Sequence, residues 1–296
     1  MWFASSTLLL SAVVPLVAAE AVFYDGIPTV GVLYDKDIKK HYCTASIVDS
    51  KKGNMIITAA HCLSTDGKEI HFAPGYNDGK TPYGTYPVLA TYVNPRWNRY
   101  HDEKLDFAFM TLGKGKFKGK MVHAQEAAGG GNKLVTNAGY EQTVEVVGYA
   151  FGEQRARHCS SDTYKAKAGQ MGIECGPLQS GTSGAPWIAN YDAKTRRGSV
   201  IGDIGGWHTG GCDDYETFSC KFSKATQDLY DRAAQSGDDD GDDVRGGAPE
   251  NCSGTTANEL GKTSKTGKTG KTRLGFPKVP GLPKVMKEPL KLNSSK

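Results

Sequence analysis

Short apolar runs rich in β-branched and aromatic residues alternate with Gly, Pro, Asn and Asp along most of the chain. Evenly spaced runs of this kind predict an all-β protein built from barrels. One helix is predicted at residues 224–234, because Ala225, Leu229 and Ala233 recur there at helical spacing. The predicted strands are residues 29–34, 44–48, 55–58, 86–93, 143–147, 199–204 and 217–222.

The beginning of the chain reads as an export leader. Residues 8–17 are apolar and end in the small residues Val17, Ala18 and Ala19, a pattern typical of a cleaved signal peptide. The apolar run is shorter than the ~20 residues that span a bilayer, and no later segment reaches that length. We therefore expect a signal peptide at residues 1–19 and a secreted, extracellular protein without a transmembrane segment.

The composition changes after Gln235. An acidic run at residues 238–243 is followed by a Lys-Thr-Gly repeat at residues 262–273 and by a Pro-rich basic end. Such a segment buries too little apolar surface to fold. We therefore predict a folded domain at residues 20–235 and a disordered tail, first acidic and then basic, at residues 236–296.

The basic charge of the protein belongs to this tail. The whole chain has a formal net charge of +4, but residues 261–296 alone hold ten Lys and Arg against one acidic residue. A flexible basic arm is able to contact an anionic surface or polymer, while the simpler alternative is a solvated tail without a partner. No aromatic spacing accompanies the basic residues, so specific nucleic-acid recognition is not expected.

The sequence predicts neither a metal site nor a cofactor. The acidic run does not fit an EF-hand loop, because position six would be Asp243 instead of glycine and position twelve lacks a glutamate. Spacing of the HExxH type or of a zinc cluster is missing around the other histidines. These are His41, His71, His101, His123, His158 and His208.

Two separated motifs carry groups suited to acyl transfer. TAAHC contains His61, and GTSGAP contains Ser183. A serine hydroxyl needs a nearby imidazole to take its proton, and the resulting imidazolium needs a buried carboxylate. Asp106 suits that role, because it lies in an alternating apolar run where an unpaired carboxylate would carry a large desolvation cost. His61, Asp106 and Ser183 are therefore the predicted catalytic residues.

These motifs resemble those of the trypsin-like serine peptidases, with the closer likeness to the secreted V8-like glutamyl endopeptidases. The chain order His, Asp, Ser is that of the chymotrypsin-like double barrel and differs from the orders in subtilisins and α/β-hydrolases. The resemblance covers roughly residues 28–234. It implies two six-stranded antiparallel β-barrels with a C-terminal helix, in which His61 and Asp106 belong to the first barrel and Ser183 to the second.

The activity implied by the resemblance is that of a secreted serine endopeptidase, a monomer that hydrolyses proteins or peptides without a cofactor. Two alternatives stay open at this point. One is a protease-like binding protein that is attached through its basic tail and is catalytically weak. The other is an esterase-like hydrolase that uses the same triad.

Further roles follow from the resemblance around the nucleophile. The backbone N–H groups of Gly181 and Ser183 would form the oxyanion hole, and Gly184 would relieve crowding beside the nucleophile. Vertebrate-type trypsins carry an aspartate just before the nucleophile, where it receives the ammonium group freed on activation. That position is Thr182 here, so we expect no trypsin-type zymogen activation.

The residue preferred before the cut stays open. A carboxylate that receives Lys or Arg is expected six residues before the nucleophile, but that position is Pro177, and Asp203 does not obviously replace it. His208 is a candidate for reading a glutamate side chain, although the glutamyl-specific pattern places histidine before a Gly-Gly pair, where this chain has Ile204. The substrate-binding residues implied by the resemblance are Ser180, Gly205, Gly206, Trp207 and His208.

Seven cysteines in an exported chain predict a disulfide framework with one cysteine left over. By the resemblance, Cys43 pairs with Cys62 beside the catalytic histidine. The four later cysteines of the domain admit three pairings, and short loops favour two bonds: Cys159 with Cys175, and Cys212 with Cys220.

Two glycosylation sites are predicted in the tail, at Asn251 and Asn293, because each begins an Asn-x-Ser sequon. Cys252 lies inside the first of these sequons. Its role as a free thiol or an intermolecular partner stays open.

Overall fold

The computed structural model describes residues 18–63, 69–236 and 241–242. The strands are β1 (Ala19–Glu20), β2 (Val22–Tyr24), β3 (Val30–Tyr34), β4 (Cys43–Ile47), β5 (Met55–Thr58), β6 (His71–Pro74), β7 (Tyr86–Val93), β8 (Ala108–Leu112), β9 (Gly115–Phe117), β10 (Lys120–Val122), β11 (Lys133–Leu134), β12 (Thr143–Gly148), β13 (Ala156–Asp162), β14 (Tyr164–Lys165), β15 (Met171–Gly176), β16 (Pro186–Asp192), β17 (Arg197–Asp203) and β18 (Glu216–Ser219). The helices are α1 (Pro95–Tyr100), α2 (Ala124–Ala128) and α3 (Lys224–Gln235). The all-β prediction is confirmed.

The first half of the chain forms a closed six-stranded barrel in the order β3-β4-β5-β8-β7-β6. Each strand runs antiparallel to the next strand in this order. Strands β4, β5 and β8 are buried along their whole length, because one face fills the barrel and the other is covered by the rest of the protein. Closure leaves no free strand edge. It also fixes the end of β5, which His61 follows, and the start of β8, which Asp106 precedes.

The second half consists of two sheets rather than one continuously hydrogen-bonded barrel. The first sheet has the order β11-β17-β16-β12-β13-β2, and the second contains β1, β14, β15 and β18. The Cys159–Cys175 disulfide joins β13 of the first sheet to β15 of the second. The Gly205 N–H, two residues after β17, donates to the Phe218 carbonyl of β18 at 3.0 Å. The two sheets therefore enclose one core, lined by Trp187, Ile173 and their neighbours.

Several predicted elements match the structure closely. The strands at residues 55–58 and 86–93 have the predicted bounds, and the C-terminal helix ends one residue later than expected. Helices α1 and α2 were not predicted, because six and five residues are too short for a periodic pattern to emerge. The start of α1 does carry a local signature, since the Asn94 side chain accepts from the Arg96 N–H and Pro95 occupies the first turn.

Two of the expected disulfides are confirmed, and the third is wrong. Cys43 bonds to Cys62, and Cys159 bonds to Cys175. Cys212 is disulfide-bonded, but Cys220 is free and buried, so these two do not pair with each other. A short loop was a poor guide because Cys220 points into the protein core at the end of β18 while Cys212 lies exposed in the preceding loop.

Residues just outside both predicted domain boundaries contact the domain. Ala19, which was assigned to the leader, pairs with Cys175 in the parallel β1–β15 ladder. At the other end, Asp242 lies against β7, where its carboxylate accepts from the Val93 N–H at 2.8 Å and from both terminal nitrogens of Arg232 at 2.6 Å. The remaining leader and tail, including the acidic run apart from Gly241 and Asp242, the predicted sequons and Cys252, lie outside the described residues.

Helix α3 follows the second half of the chain but packs on the first barrel. Ser223 and Thr226 form a capping box at its start. Leu229 and Ala233 are buried, as the predicted apolar face requires, and Tyr230 meets Phe109 of β8 edge to face with 5.6 Å between ring centroids. In the part of the chain that the structure describes, no helix combines the length and apolar character needed to cross a lipid bilayer.

Candidate active site

His61 lies on a single 3-10 turn at residues 60–62, directly after β5. The disulfide between Cys62 and Cys43 ties this turn to the start of β4. The Thr58 hydroxyl donates to the Thr44 carbonyl at 2.8 Å, so the end of β5 is also held to β4. The backbone that carries the imidazole is therefore fixed from two sides.

Asp106 is fully buried and faces His61. Its Oδ2 lies 2.8 Å from His61 Nδ1, and its Oδ1 accepts from the His61 backbone N–H at 2.9 Å. The Gly206 N–H donates to Oδ2 at 2.9 Å. Three donors offset the cost of burying the carboxylate. Because a carboxylate only accepts, His61 Nδ1 carries the proton, which leaves Nε2 as an acceptor.

Ser183 belongs to a tight turn that is held by hydrogen bonds within the turn and by one to Ile204, the residue after β17. The Thr182 N–H and hydroxyl both donate to the Gln179 carbonyl, at 3.1 and 2.8 Å, and the Gly184 N–H donates to the Ile204 carbonyl at 2.8 Å. Ser183 and His61 line the same cavity of about 590 Å³, together with Gly181. The nucleophile and base that the sequence predicts thus face one open space.

Two N–H groups beside Ser183 are available to a ligand. Among the hydrogen bonds between described residues, neither the Gly181 nor the Ser183 N–H is a donor, whereas the Thr182 N–H between them is used. Gly181 has φ of +99°, and a Cβ there would lie 2.3 Å from the Phe151 nitrogen. Only glycine therefore permits the turn that leaves both N–H groups unpaired.

Thr44 joins the two halves of the protein directly beneath this turn. Its N–H donates to the Ser183 carbonyl at 2.8 Å, and its hydroxyl donates to the Gly181 carbonyl at 3.1 Å. The hydroxyl also accepts from the Tyr149 N–H at 2.9 Å. Thr44 is completely buried, so these bonds are protected from competition with water. The sequence analysis missed this residue.

Gly184 lies where the two halves approach most closely. A Cβ at this position would lie 2.2 Å from Thr58 Oγ1 and 2.3 Å from the Thr44 carbonyl oxygen, and φ is +78°. The crowding expected from the resemblance is therefore present, and it comes from Thr44 of β4 and Thr58 of β5.

A second cavity of about 220 Å³ opens on the other side of Ser183. Of the predicted substrate-binding residues, only Ser180 is among those that line either cavity within the described residues. Gly205 and Gly206 pack against Asp106 instead. The residues that line the second cavity are Leu178, Gln179, Ser180, Thr182, Ser183, Ile204, Thr209, Gly210, Gly211, Cys212, Asp213, Asp214 and Thr217.

His208 contacts Glu103 and Trp207. Its N–H donates to Glu103 Oε1 at 2.9 Å, and its ring meets Trp207 edge to face with 4.2 Å between centroids. His208 lines neither of the two cavities beside Ser183. A glutamate-reading role for this histidine stays a prediction.

A second carboxyl group lies buried behind Asp106. Asp203 ends β17 with no exposed surface, and neither of its carboxyl oxygens has a hydrogen-bond partner among the described residues. Burial, and then the nearby charge of Asp106, raise the pKa of Asp203 well above its usual range. Burial and these two carboxyl groups also raise the pKa of the Cys220 thiol. Burial therefore favours the protonated form of Asp203, whereas the Asp106 carboxylate accepts three hydrogen bonds.

One side-chain cluster within the described ranges has the spacing of a metal site, namely Cys43, His61 and Cys62. Its two sulfur atoms form a disulfide and so are not thiolate ligands.

The sequence matches the family model described as Trypsin over residues 20–190, which is more than half of the chain. The chain therefore belongs to the trypsin family, and its fold is chymotrypsin-like. No curated protein sequence matches the chain.

Solved structures with the same fold are distant in sequence. The protease Anisep from Arthrobacter nicotinovorans is 21% identical with a TM-score of 0.61, covering 72% of this chain and 99% of its own. The thermostable serine protease AL20 from an extremophilic microorganism is 22% identical with a TM-score of 0.60, covering 71% and 98%. A Glu endopeptidase is 16% identical with a TM-score of 0.55, covering 76% and 100%.

Replacing Thr44 with valine should impair both stability and catalysis. Valine keeps the shape but leaves the Gly181 carbonyl and the Tyr149 N–H without this partner, which costs about 1–3 kcal/mol for buried groups. Because the Gly181 turn then loosens, we expect kcat to fall by about tenfold with a smaller change in KM. Urea unfolding and steady-state kinetics measure both effects.

Thr44→Ser is the matched control, because serine keeps the hydroxyl. It should retain most of the activity that Thr44→Val loses. Equal losses in the two variants would contradict the role of the hydroxyl.

Replacing Asp203 with asparagine should change how stability depends on pH. Folded Asp203 keeps its proton above about pH 4, where the unfolded chain releases it. Wild-type stability therefore falls as pH rises from about 4 towards the raised folded pKa, by up to about 1.4 kcal/mol per pH unit from this group. Asp203→Asn removes that loss, so its free energy of unfolding should fall less steeply between pH 5 and pH 7.

Urea unfolding at a series of pH values tests this difference. Asp228→Asn, which changes an exposed carboxyl group of α3, serves as the control and should follow the wild-type slope. Parallel curves for wild type and Asp203→Asn would show that Asp203 ionises normally in the folded protein.

Proposed function

We propose that this protein is a secreted serine endopeptidase that acts through His61, Asp106 and Ser183. The observation that carries the proposal is the fully buried Asp106 carboxylate, which accepts from both the ring and the backbone of His61. His61 in turn shares a cavity with Ser183. An unpaired buried carboxylate would carry a large desolvation cost. The pairing of Asp106 with His61 avoids this cost and orients the imidazole as a general base requires.

The proposed reaction begins when Ser183 Oγ attacks the peptide carbonyl and His61 Nε2 takes its proton. The Asp106 carboxylate stabilises the imidazolium and holds its orientation. The N–H groups of Gly181 and Ser183 donate to the developing oxyanion, and each such donor typically lowers the barrier by about 3 kcal/mol. His61 then protonates the leaving amine, and water activated by His61 hydrolyses the acyl-enzyme.

Activation in this proposal does not depend on a new amino terminus. Thr182 replaces the aspartate that would receive an ammonium group, and its hydroxyl is already bonded to the Gln179 carbonyl within the same turn. The turn thus has its own internal support, and the N–H groups of Gly181 and Ser183 stand ready without a salt-bridge switch.

Secretion is the remaining part of the proposal. The apolar leader, the Cys43–Cys62 and Cys159–Cys175 disulfides and the basic tail all suit an extracellular enzyme. The tail is proposed to contact an anionic surface or polymer, and the substrates are proteins or peptides.

The decisive test compares Ser183→Ala with Ser180→Ala. Both serines line the cavity beside His61, but only Ser183 has the proposed nucleophilic role. We expect Ser183→Ala to lose at least about 10³-fold in kcat and all labelling by a serine-directed phosphonate. Ser180→Ala should still be labelled. Wild-type protein that neither cuts peptides nor takes up the phosphonate would favour a protease-like binding protein, and faster cleavage of esters than of peptides would favour an esterase.

Acetylation of the mature amino terminus should leave peptidase activity unchanged. The reason is that the Ser183 turn contains no carboxylate for a terminal ammonium group. The comparison uses the mature enzyme before and after acetylation, with intact mass confirming the modification. Loss of activity that follows the loss of the free amine would contradict the proposed preorganised site.

A further inference from the structure

Three lysine side chains lie over two aromatic rings in the second half of the chain. The Nζ atoms of Lys165 and Lys221 are 5.6 and 4.4 Å from the centroid of the Tyr140 ring. Lys167 Nζ is 5.7 Å from the centroid of the Trp207 ring. These distances are those of cation–π contacts. We call these five residues the lysine patch.

A single turn connects the two rings of the lysine patch. The Tyr140 hydroxyl donates to the Gly169 carbonyl at 3.0 Å, and the Trp207 N–H donates to Gln170 Oε1 at 2.9 Å. Gln170 is 2% exposed, so its bond to Trp207 is protected from water. Because Lys167 belongs to the same turn, the three ammonium groups and the two rings form one connected surface.

The positive charge of the lysine patch is not balanced by the part of the chain that the structure describes. None of the three lysines forms a salt bridge there. Glu141, which follows Tyr140, is exposed, and Glu103 accepts from the His208 N–H at 2.9 Å. The two ammonium groups over the Tyr140 ring repel each other, and a bound anion would offset this repulsion.

The lysine patch borders the candidate active site. Gly206, just before Trp207, donates its N–H to Asp106 Oδ2 at 2.9 Å. Thr209, two residues after Trp207, lines both cavities beside Ser183. Trp207 therefore belongs to the short segment that connects the buried carboxylate to the cavity walls. A peptide that extends from the cavities along this segment would reach the lysines.

We propose that the lysine patch binds an acidic segment of a protein substrate, at positions away from the bond that is cut. The inference rests on the proposed function, because it assumes that Ser183 acts on peptide bonds. Alternate side chains of an extended peptide point the same way and are roughly 7 Å apart, so one segment is able to place carboxylates beside both lysines of the Tyr140 ring. A peptide is the polyanion that the adjoining cavities would also hold.

The first test measures binding without cleavage. Ser183→Ala protein is titrated with a hexaglutamate peptide and with a hexaglutamine peptide, and tryptophan fluorescence is recorded. We expect the glutamate peptide to bind at least about fivefold more tightly, and Lys165→Gln and Lys221→Gln each to weaken it about two- to fivefold. Added salt should weaken the glutamate peptide selectively, because exposed charges are screened. The matched control is Lys194→Gln, which removes an exposed lysine from the turn between β16 and β17 and should bind like the parent protein.

The second test uses the active enzyme. Two sets of peptide substrates share the same residues around the cut and carry three Glu or three Gln residues farther away, either before or after the cut. We expect the Glu versions in one of these positions to have a lower KM with nearly unchanged kcat, because the patch binds substrate without touching the reacting bond. The Lys165→Gln/Lys221→Gln double variant should lose this difference, whereas Lys194→Gln should keep it.

The outcomes separate this inference from the proposed function. Equal binding of the two hexapeptides, or a glutamate preference that the double variant retains in full, would overturn the inference while phosphonate labelling of Ser183 still supports the peptidase. Binding of dextran sulfate without binding of hexaglutamate would assign the patch to another class of polymer and also overturn it. If wild type neither cuts peptides nor takes up the phosphonate, the proposed function has failed, and with it the substrate role of the patch.

Discussion

The contact between Thr44 and the Ser183 turn is the constraint on which the site depends. The proposed nucleophile belongs to the second half of the chain and the proposed base to the first, so the proposed catalysis requires that the halves keep a fixed spacing. Thr44 donates to the carbonyls of Gly181 and Ser183, on either side of Thr182. Because Gly184 has no side chain, β4 and β5 approach it more closely than a Cβ would allow. These contacts thereby fix the position of Ser183 in the second half relative to His61 in the first.

The buried charge at Asp106 is the second organising feature. Its three donors come from the His61 turn and from Gly206, which again belong to different halves. Protonation of Asp203, which burial favours, avoids a second negative charge in the same core. The electrostatics of the site thus depend on the same interface as its geometry.

The sequence was informative where function depends on local motifs. TAAHC, GTSGAP and an acid within an apolar run predict His61, Ser183 and Asp106 as catalytic residues, and the structure places His61 and Ser183 at one cavity and hydrogen-bonds Asp106 to His61. The sequence was uninformative where function depends on tertiary contacts. Thr44 resembles any strand threonine, because its bonds to Gly181 and Ser183 join residues far apart in the sequence. Likewise, Cys220 is close to Cys212 in sequence but is directed into the core instead.

The chain crosses between its halves more than once. Strands β1 and β2 join the sheets of the second half before the first barrel begins, and α3 and Asp242 return to the first barrel after the second half ends. The second half therefore includes strands that precede the first barrel in the sequence, and the first barrel is covered by a helix that follows the second half. The two cores are expected to unfold in a single transition, and a break in the connecting segment would leave the two pieces interlocked.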